Sequence, residues 1–161
     1  MPREIERKFL PVSDAWRGAA VRRERMSQGY IAGSDRASVR VRITGANAAL
    51  NVKSGGIAAS RQEYEYTIPL DDARELLALS VGPLIDKTRH FVRYGEFEWE
   101  VDEFRGDNAG LVVAELELDF EGQDFPLPDW IGTEVTHLAR YYNVNLVRHP
   151  YREWSEKERT P

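Results

Sequence analysis

Charged and apolar residues alternate along most of this chain. Short stretches place Val, Ile, Leu, Tyr, Phe or Trp at every second position and Glu, Asp, Lys or Arg between them. A period of two is that of a β-strand, whose successive side chains point to opposite faces. The pattern therefore predicts a series of short strands. They are REIERKFLP, ASVRVRIT, AALNVKS, RQEYEYTIP, IDKTRHFVRY, EFEWEVDEF and LVVAELELDF, with SQGYIA as a further one.

Helix signals are fewer and lie between the strand-like stretches. Polar residues that cap helix starts, and a glycine that ends a helix, mark their boundaries. Many strands with a few interspersed helices predict one α+β domain over residues 1–161. The predicted helices are a basic one capped by Ser13-Asp14 and ending near Arg25, one from Asp71-Asp72 that stops at Gly82, one from Thr133 through TEVTHLARYYNV, and a final turn between Tyr151 and Lys157.

The charged faces of these strands carry like charges side by side. In ASVRVRIT, Arg40 and Arg42 share one face and Val41 lies on the other. A single strand of this kind is explained by an antiparallel sheet with one solvated face. The whole set is not, because neighbouring like charges are unfavourable unless something compensates for them. The acidic positions are Glu4, Glu6, Glu63, Glu65, Glu98, Glu100, Asp102, Glu115 and Glu117, and the basic ones are Lys8, Arg40, Arg42, Lys53, Lys87 and Arg89.

A closed barrel would place all of these charged faces in one interior. A barrel of about eight strands has an interior that holds side chains or one small ligand. If the apolar faces point outward beneath helices, the charged faces form a tunnel, and buried charge is costly unless it is paired or coordinated. Clustered carboxylates suit Mg²⁺ or Mn²⁺, and clustered Arg and Lys suit phosphate oxygens. The expected fold is an eight-stranded antiparallel β-barrel with helices packed outside and a tunnel for a metal-bound polyanion.

Composition narrows the classes of partner. The 161 residues carry a formal net charge of -5, which argues against broad nucleic-acid binding. The absence of Cys excludes disulfides, thiolate chemistry and Cys-zinc sites. No stretch resembles a signal peptide or is apolar for long enough to cross a bilayer. We therefore expect a cytoplasmic protein with no membrane partner, for which a homodimer stays open.

The stretch EIERK resembles the ExExK signature of the CYTH superfamily, the triphosphate tunnel metalloenzymes. It lies on the first predicted strand and is followed in order by VRVR, NVKS, RQEYEY, DKTR, EVD and AELEL, and the ending GTEVTHLARYYN also resembles small bacterial members. The resemblance covers almost the whole chain. It implies the eight-stranded tunnel barrel and a metal-dependent attack of water on the terminal phosphorus of a small triphosphorylated substrate.

The resemblance also implies a role for each matching position. Tyr30 and Lys53 would pair to orient or deprotonate the attacking water, with barrel-lip packing as the alternative for Tyr30. Lys8, near the phosphates, joins them in the catalytic set. The implied metal ligands are Glu4, Glu6, Glu115 and Glu117, for Mg²⁺ or Mn²⁺. The implied substrate ligands are Lys8, Arg40, Arg42, Lys53, Lys87 and Arg89. Glu63, Glu65, Glu98, Glu100 and Asp102 correspond to further tunnel acids.

Several activities fit the resemblance. We favour hydrolysis of inorganic tripolyphosphate, towards which small single-domain members lean. A class IV-type adenylyl cyclase would use the same tunnel but attack the α-phosphorus with a ribose hydroxyl. A thiamine triphosphatase would need a pocket at the tunnel mouth. A non-catalytic polyphosphate or nucleotide binder is the alternative from another class, although the intact acidic pairs argue against it because binding alone needs mainly base.

Overall fold

A computed structural model of the chain describes residues 3–56 and 59–161. Within these ranges the chain forms nine β-strands, of which β1 to β8 correspond to the eight alternating stretches, and the helices are short. The strands are β1 (Arg3–Pro11), β2 (Ala20–Gly33), β3 (Ala37–Thr44), β4 (Asn47–Ser54), β5 (Ser60–Thr67), β6 (Ile85–Tyr94), β7 (Phe97–Phe104), β8 (Val112–Glu117) and β9 (Ile131–Glu134). The helices are α1 (Ala15–Ala19), α2 (Leu70–Leu77), α3 (Asn143–Leu146) and α4 (Glu156–Arg159), with 3₁₀ turns at Gly106–Asn108, Ala139–Tyr141 and Tyr151–Glu153.

Eight of the nine strands close into a barrel. Their order is β5-β4-β3-β2-β6-β7-β8-β1, and β1 also pairs with β5, which completes the ring. Each of these pairings is antiparallel. The ninth strand, β9, lies outside the ring and pairs with the end of β1. The predicted eight-stranded antiparallel barrel is therefore confirmed.

The apolar faces of the strands point outward and are covered. One cluster contains Phe9, Trp16, Trp99 and Trp130, with edge-to-face contacts such as Phe9–Trp99 at 5.5 Å. A second cluster packs β6 and β8 beneath the C-terminal segment, and a third packs Val41 of β3 near α2. Because these contacts hold the apolar faces outside, the alternate, charged side chains point into the barrel.

The predicted basic helix from Ser13 to Arg25 is wrong beyond its first turns. Helix α1 ends at Ala19, and the following 14 residues form β2. This strand pairs with β3 on one side and β6 on the other, so its backbone donors and acceptors are satisfied in the sheet. Three arginines of the predicted helix, Arg22, Arg23 and Arg25, lie on this strand instead, and Arg22 stacks over the Phe91 ring at 3.6 Å.

The helix predicted from Thr133 is also wrong. Thr133 belongs to β9, and turns, a 3₁₀ turn and the short α3 follow it. Glu134 accepts two hydrogen bonds from the Arg7 guanidinium on the neighbouring β1. Pairing with β1 therefore competes successfully with the local helical preference.

The other helix predictions fare better. Helix α2 forms as expected but ends at Leu77, before the predicted stop at Gly82. The final turn is present as Tyr151–Glu153 and α4, whose start is fixed by a capping box between Ser155 and Glu158. None of the helices in the described ranges is long and apolar enough to cross a membrane.

Candidate functional site

The inward faces of the barrel enclose a polar cavity of about 200 Å³. Its described lining carries seven cationic and seven carboxylate side chains. The cations are Lys8, Arg40, Arg42, Lys53, Arg61, Lys87 and Arg89. The carboxylates are Glu4, Glu6, Glu63, Glu65, Glu100, Glu115 and Glu117. The remaining lining residues are Tyr30, Ser38, Asn51, Tyr142, Asn143 and Val144.

The EIERK stretch on β1 places its three charged alternates in this cavity. Lys8 is 2% exposed, and its Nζ lies 2.7 Å from Glu115 Oε1 and 3.2 Å from Glu6 Oε1. The register explains these contacts, because Lys8 lies opposite Glu115 and Glu6 opposite Glu117 on β8. Burial disfavours the ammonium ion, but Glu115 and Glu6 outweigh it and raise the pKa of Lys8. Lys8 therefore stays charged. A charged lysine is suited to binding an anion and not to accepting a proton as a base.

A second cluster joins β6 and β7. Asp102 is fully buried and accepts hydrogen bonds from Arg89 at 2.8 and 2.9 Å and from Lys87 at 2.6 Å. Burial raises the pKa of Asp102, but Arg89 and Lys87 outweigh it, so the pKa lies below its usual value. Arg89 also lies 2.6 Å from Glu100 and 3.4 Å from Glu115. Asp102 thus sits behind the lining and orients two cations that face the cavity.

The wall formed by β3, β4 and β5 holds a cationic pair. Arg42 lies 3.4 Å from Glu65, and Arg40 lies 4.0 Å from Glu63. Asn51 donates hydrogen bonds to both carboxylates, at 3.0 and 3.1 Å. Burial and the repulsion of Arg40 and then Arg89 lower the pKa of Arg42. An anion bound between these guanidinium groups would relieve that repulsion.

Carboxylates crowd one another on the wall around β1. Burial, reinforced by Glu6 and Glu63 and opposed by Lys53, raises the pKa of Glu4 to about 7. Burial and the same two neighbours raise the pKa of Glu117. Such oxygen donors fit a hard divalent cation, which would remove their mutual repulsion.

Cations engage three of the four predicted metal ligands, namely Glu4, Glu6 and Glu115. Lys53 Nζ lies 2.7 Å from Glu4, and Arg61 Nη2 lies 3.3 Å from Glu6. Glu115 is held by Lys8 and Arg89, which, despite its burial, place its pKa well below the usual range. Between residues 3 and 56 and between 59 and 161, no three His, Asp or Glu side chains converge at metal-ligand spacing. The convergence of all four predicted metal ligands on one cation stays a prediction.

Two predicted tunnel acids are placed differently from the prediction. Glu98 does not line the cavity; its side chain is 39% exposed and lies 3.9 Å from Arg22. Alternation assigns Glu98 to the correct face of β7 but does not reveal how far along the barrel that face stays enclosed. Asp102 shares the face but contacts Lys87 and Arg89 from behind.

Six residues of the described cavity lining were not assigned a role from the sequence; they are Ser38, Asn51, Arg61, Tyr142, Asn143 and Val144. Arg61 shares a strand face with Glu63 and Glu65, so the alternation in RQEYEY could have identified it. Tyr142 and Asn143 follow a 3₁₀ turn in a segment predicted as helix. No periodic pattern marks that segment as part of the tunnel.

The predicted Tyr30–Lys53 pair is brought to one cavity but not into contact. Tyr30 is half-buried and lies opposite Arg40 in the sheet. Lys53 is engaged by Glu4 at 2.7 Å and lies 3.9 Å from Glu63. No hydrogen bond joins the Tyr30 and Lys53 side chains in the part of the chain that the structure describes. Their joint role stays a prediction.

Comparisons with known proteins agree with this architecture. Residues 2–151 match the CYTH domain family. The chain is 46% identical over 157 residues to an inorganic triphosphatase of Acetivibrio thermocellus, covering 97% of this chain and 100% of the relative. It is 33% identical over 148 residues to an inorganic triphosphatase of Nitrosomonas europaea, covering 89% and 96% of the two chains. A crystal structure of an inorganic triphosphatase matches with a TM-score of 0.67 and 31% identity, over 91% of this chain and 95% of that one.

Proposed function

The chain belongs to the CYTH domain family, and from that premise we propose that it hydrolyses inorganic triphosphate with the help of a divalent cation. The reaction would take place in the barrel cavity, with residues 1–161 acting as a single tunnel domain. Full-length similarity to two inorganic triphosphatases supports this proposal. The observation that carries it is the small barrel cavity lined by interleaved cations and carboxylates.

The size and lining of the cavity favour inorganic triphosphate over larger triphosphates. A cavity of about 200 Å³ is smaller than the pockets of roughly 300–1,000 Å³ that enclose drug-sized ligands. The aromatic side chains in the described lining are Tyr30 and Tyr142, and the Tyr142 ring already contacts Lys8 and Arg61. The described lining therefore offers little apolar surface to a nucleobase or a thiamine ring.

The cations of the cavity would bind and orient the phosphate chain. Guanidinium groups such as Arg40 and Arg42 offer forked contacts to phosphate oxygens, and the ammonium of Lys8 offers a point charge. In the reaction a water oxygen bonds to the terminal phosphorus as the bond to its bridging oxygen breaks, which gives phosphate and diphosphate. Charge that develops on the diphosphate and on the transferred group would be offset by fixed cations, including Arg89 held by Asp102.

A requirement for a divalent cation follows from the charge balance of the lining. The seven cations of the cavity are matched by seven carboxylates, so a polyanion would leave the interior strongly negative on its own. Glu4, Glu6, Glu115 and Glu117 are proposed to hold the cation. When bound, Mg²⁺ or Mn²⁺ would supply charge neutralisation and Lewis-acid chemistry. Tyr30 and Lys53 are proposed to orient the attacking water.

Phosphate release and cyclic AMP formation, measured together, test this proposal. The protein is assayed with inorganic triphosphate, ATP and thiamine triphosphate, each with Mg²⁺ and with Mn²⁺. We expect phosphate release with a kcat/KM for inorganic triphosphate at least about tenfold above the others, a margin of about 1.4 kcal/mol in transition-state binding. Cyclic AMP formation from ATP would instead assign a cyclase, and triphosphate binding without turnover would assign a binding module.

A further inference from the structure

One part of the cavity lining does not come from the barrel strands. Among the described lining residues, Tyr142, Asn143 and Val144 lie outside the strands, at the start of α3. Tyr142 is 3% exposed. The proposed reaction assigns no role to these three residues, although two of them contact cations that it uses.

The Tyr142 ring contacts two of the tunnel cations at once. Lys8 Nζ lies 4.8 Å from the ring centroid, and Arg61 Cζ lies 4.9 Å from it. Both cations also lie close to Glu6 Oε1, at 3.2 and 3.3 Å. The negative face of an aromatic ring attracts a cation within about 6 Å, most strongly where water is excluded. The ring therefore reduces the cost of holding two like charges side by side.

The Tyr142 hydroxyl fixes the ring to the backbone that carries Lys8. It donates a 2.8 Å hydrogen bond to the carbonyl oxygen of Thr136. The Thr136 hydroxyl oxygen in turn accepts a 2.9 Å hydrogen bond from the backbone N–H of Lys8. Thr136 thus connects the main chain of Lys8 with the ring that contacts the Lys8 ammonium group. The Lys8 side chain is therefore constrained at both ends.

Asn143 makes the corresponding contact to a third cation. Its Oδ1 accepts hydrogen bonds from Lys87 Nζ at 3.1 Å and from Gln28 Nε2 at 3.0 Å. Lys87 and Gln28 are 2% and 0% exposed. Because Asp102 holds Lys87 at 2.6 Å as well, the ammonium group is fixed between two acceptors.

We propose that Tyr142 and Asn143 are positioning residues, which fix three tunnel cations in the places where they meet the triphosphate. The inference rests on the proposed function. A lysine ammonium sits on a flexible four-carbon stem, and immobilising such a side chain during binding costs affinity. A cation that is already fixed in the free protein avoids this cost. The three cations are Lys8, Arg61 and Lys87.

Steady-state kinetics with inorganic triphosphate and Mg²⁺ test the role of Tyr142. Tyr142→Leu removes the ring and should raise KM about tenfold with a smaller effect on kcat, because pre-positioning acts on substrate binding. Tyr142→Phe keeps the ring but loses the hydrogen bond to Thr136, so its KM should lie between those of Tyr142→Leu and the unsubstituted protein. Tyr66→Leu is the matched control, since Tyr66 is 57% exposed and does not line the cavity.

Asn143→Leu and Asn143→Ser test the second contact. Both remove one of the two acceptors of Lys87 and should lower kcat/KM about tenfold. Serine leaves room for a water that can accept the hydrogen bond of Gln28 Nε2. The serine variant is therefore informative even if the leucine variant does not fold, and circular dichroism measures the folding of both.

The outcomes separate the positioning role from the proposed function. If the unsubstituted protein does not hydrolyse inorganic triphosphate, the proposed function fails and this inference with it. If that protein is active but Tyr142→Leu and Asn143→Ser leave both constants within twofold, the positioning role alone is overturned. Equal losses in Tyr142→Phe and Tyr142→Leu would also overturn it, because the contact of the ring with Lys8 and Arg61 would then contribute nothing to binding.

Discussion

Replacing Lys87 with methionine separates the stability of the empty tunnel from its function. Lys87 is 2% exposed, and its ammonium group contacts Asp102 at 2.6 Å and lies 5.5 Å from the Phe104 ring centroid. Methionine retains a long unbranched side chain for this packing and removes the charge together with its hydrogen bonds to Asp102 and Asn143. The substitution therefore measures what the folded protein loses or gains by holding that charge.

The structure gives the size of the expected effect. Burial, opposed by Asp102 and reinforced by Arg89, lowers the pKa of Lys87 from its usual 10.5 to about 8. A fall of this size means that the folded state disfavours the charged lysine by on the order of 3 kcal/mol at neutral pH. Asp102 keeps its two hydrogen bonds from Arg89 in the variant, so no carboxylate is left unpaired. Without ligand, Lys87→Met should be as stable as the unsubstituted protein or more so.

The pH dependence of stability provides the assay. Below about pH 8 both the folded and the unfolded chain hold the lysine proton, and the penalty is fully present. Between about pH 8 and 10.5 the unfolded chain binds more protons, so the stability of the unsubstituted protein should rise with pH. Lys87→Met should lack this rise in urea unfolding between about pH 7 and 10. A variant that is less stable by more than about 3 kcal/mol at pH 7 would refute this reasoning and mark Lys87 as a structural ion-pair partner.

Three further outcomes are expected from the tunnel. Glu4→Gln or Glu117→Gln should abolish metal-dependent phosphate release with the fold intact, whereas Glu98→Gln, outside the cavity, should not; full activity of both tunnel variants at saturating Mg²⁺ would contradict the metal assignment. Arg40→Ala and Arg42→Ala should each weaken triphosphate binding by about 1.5–3 kcal/mol, or tenfold to a hundredfold, and calorimetry that finds unchanged affinity would refute it. Inorganic triphosphate at about a hundred times its Kd, with the divalent cation present, should stabilise the protein by about 2.7 kcal/mol, and no rise in Tm would count against the tunnel.

The barrel could be predicted from the sequence because its two faces differ so sharply. Alternation with a period of two fixes which face of each strand is apolar, and the helices and C-terminal segment supply the cover outside. The like-charge pairs then have one common interior. The acidic and basic positions of β1, β3, β5 and β8 accordingly all line the cavity.

Alternation did not predict how far along the barrel axis each charged side chain lies, and therefore how buried it is. Glu98, Glu100 and Asp102 alternate on one face of β7 and look equivalent in the sequence. In the structure Glu98 is exposed, Glu100 lines the cavity and Asp102 lies buried behind it. Strand tilt and register set this depth, and both depend on pairing with strands that are distant in the sequence.

The predictions for the irregular segments were wrong for a related reason. The arginine-rich start of β2 has no strong strand pattern of its own and is fixed by pairing with β3 and β6. Tyr142 and Asn143 enter the cavity from a short turn whose position depends on Thr136, Lys87 and Gln28. Contacts between residues this far apart leave no local periodicity, so a single sequence does not reveal them.

The ion pairs of the free tunnel explain how so many buried charges are tolerated before substrate arrives. Lining cations are held next to carboxylates, as Lys8 is by Glu115 and Lys53 by Glu4. This pairing avoids an unpaired charge in a low-dielectric interior, which would be costly. Binding of triphosphate would exchange carboxylate oxygens for phosphate oxygens around cations that are already fixed. The carboxylates released in that exchange would be the crowded ones on the β1 wall, where burial and then the repulsion of Glu6 and Glu63 already raise the pKa of Glu4. The charge pattern that the empty barrel tolerates by ion pairing would therefore also couple anion binding to cation binding.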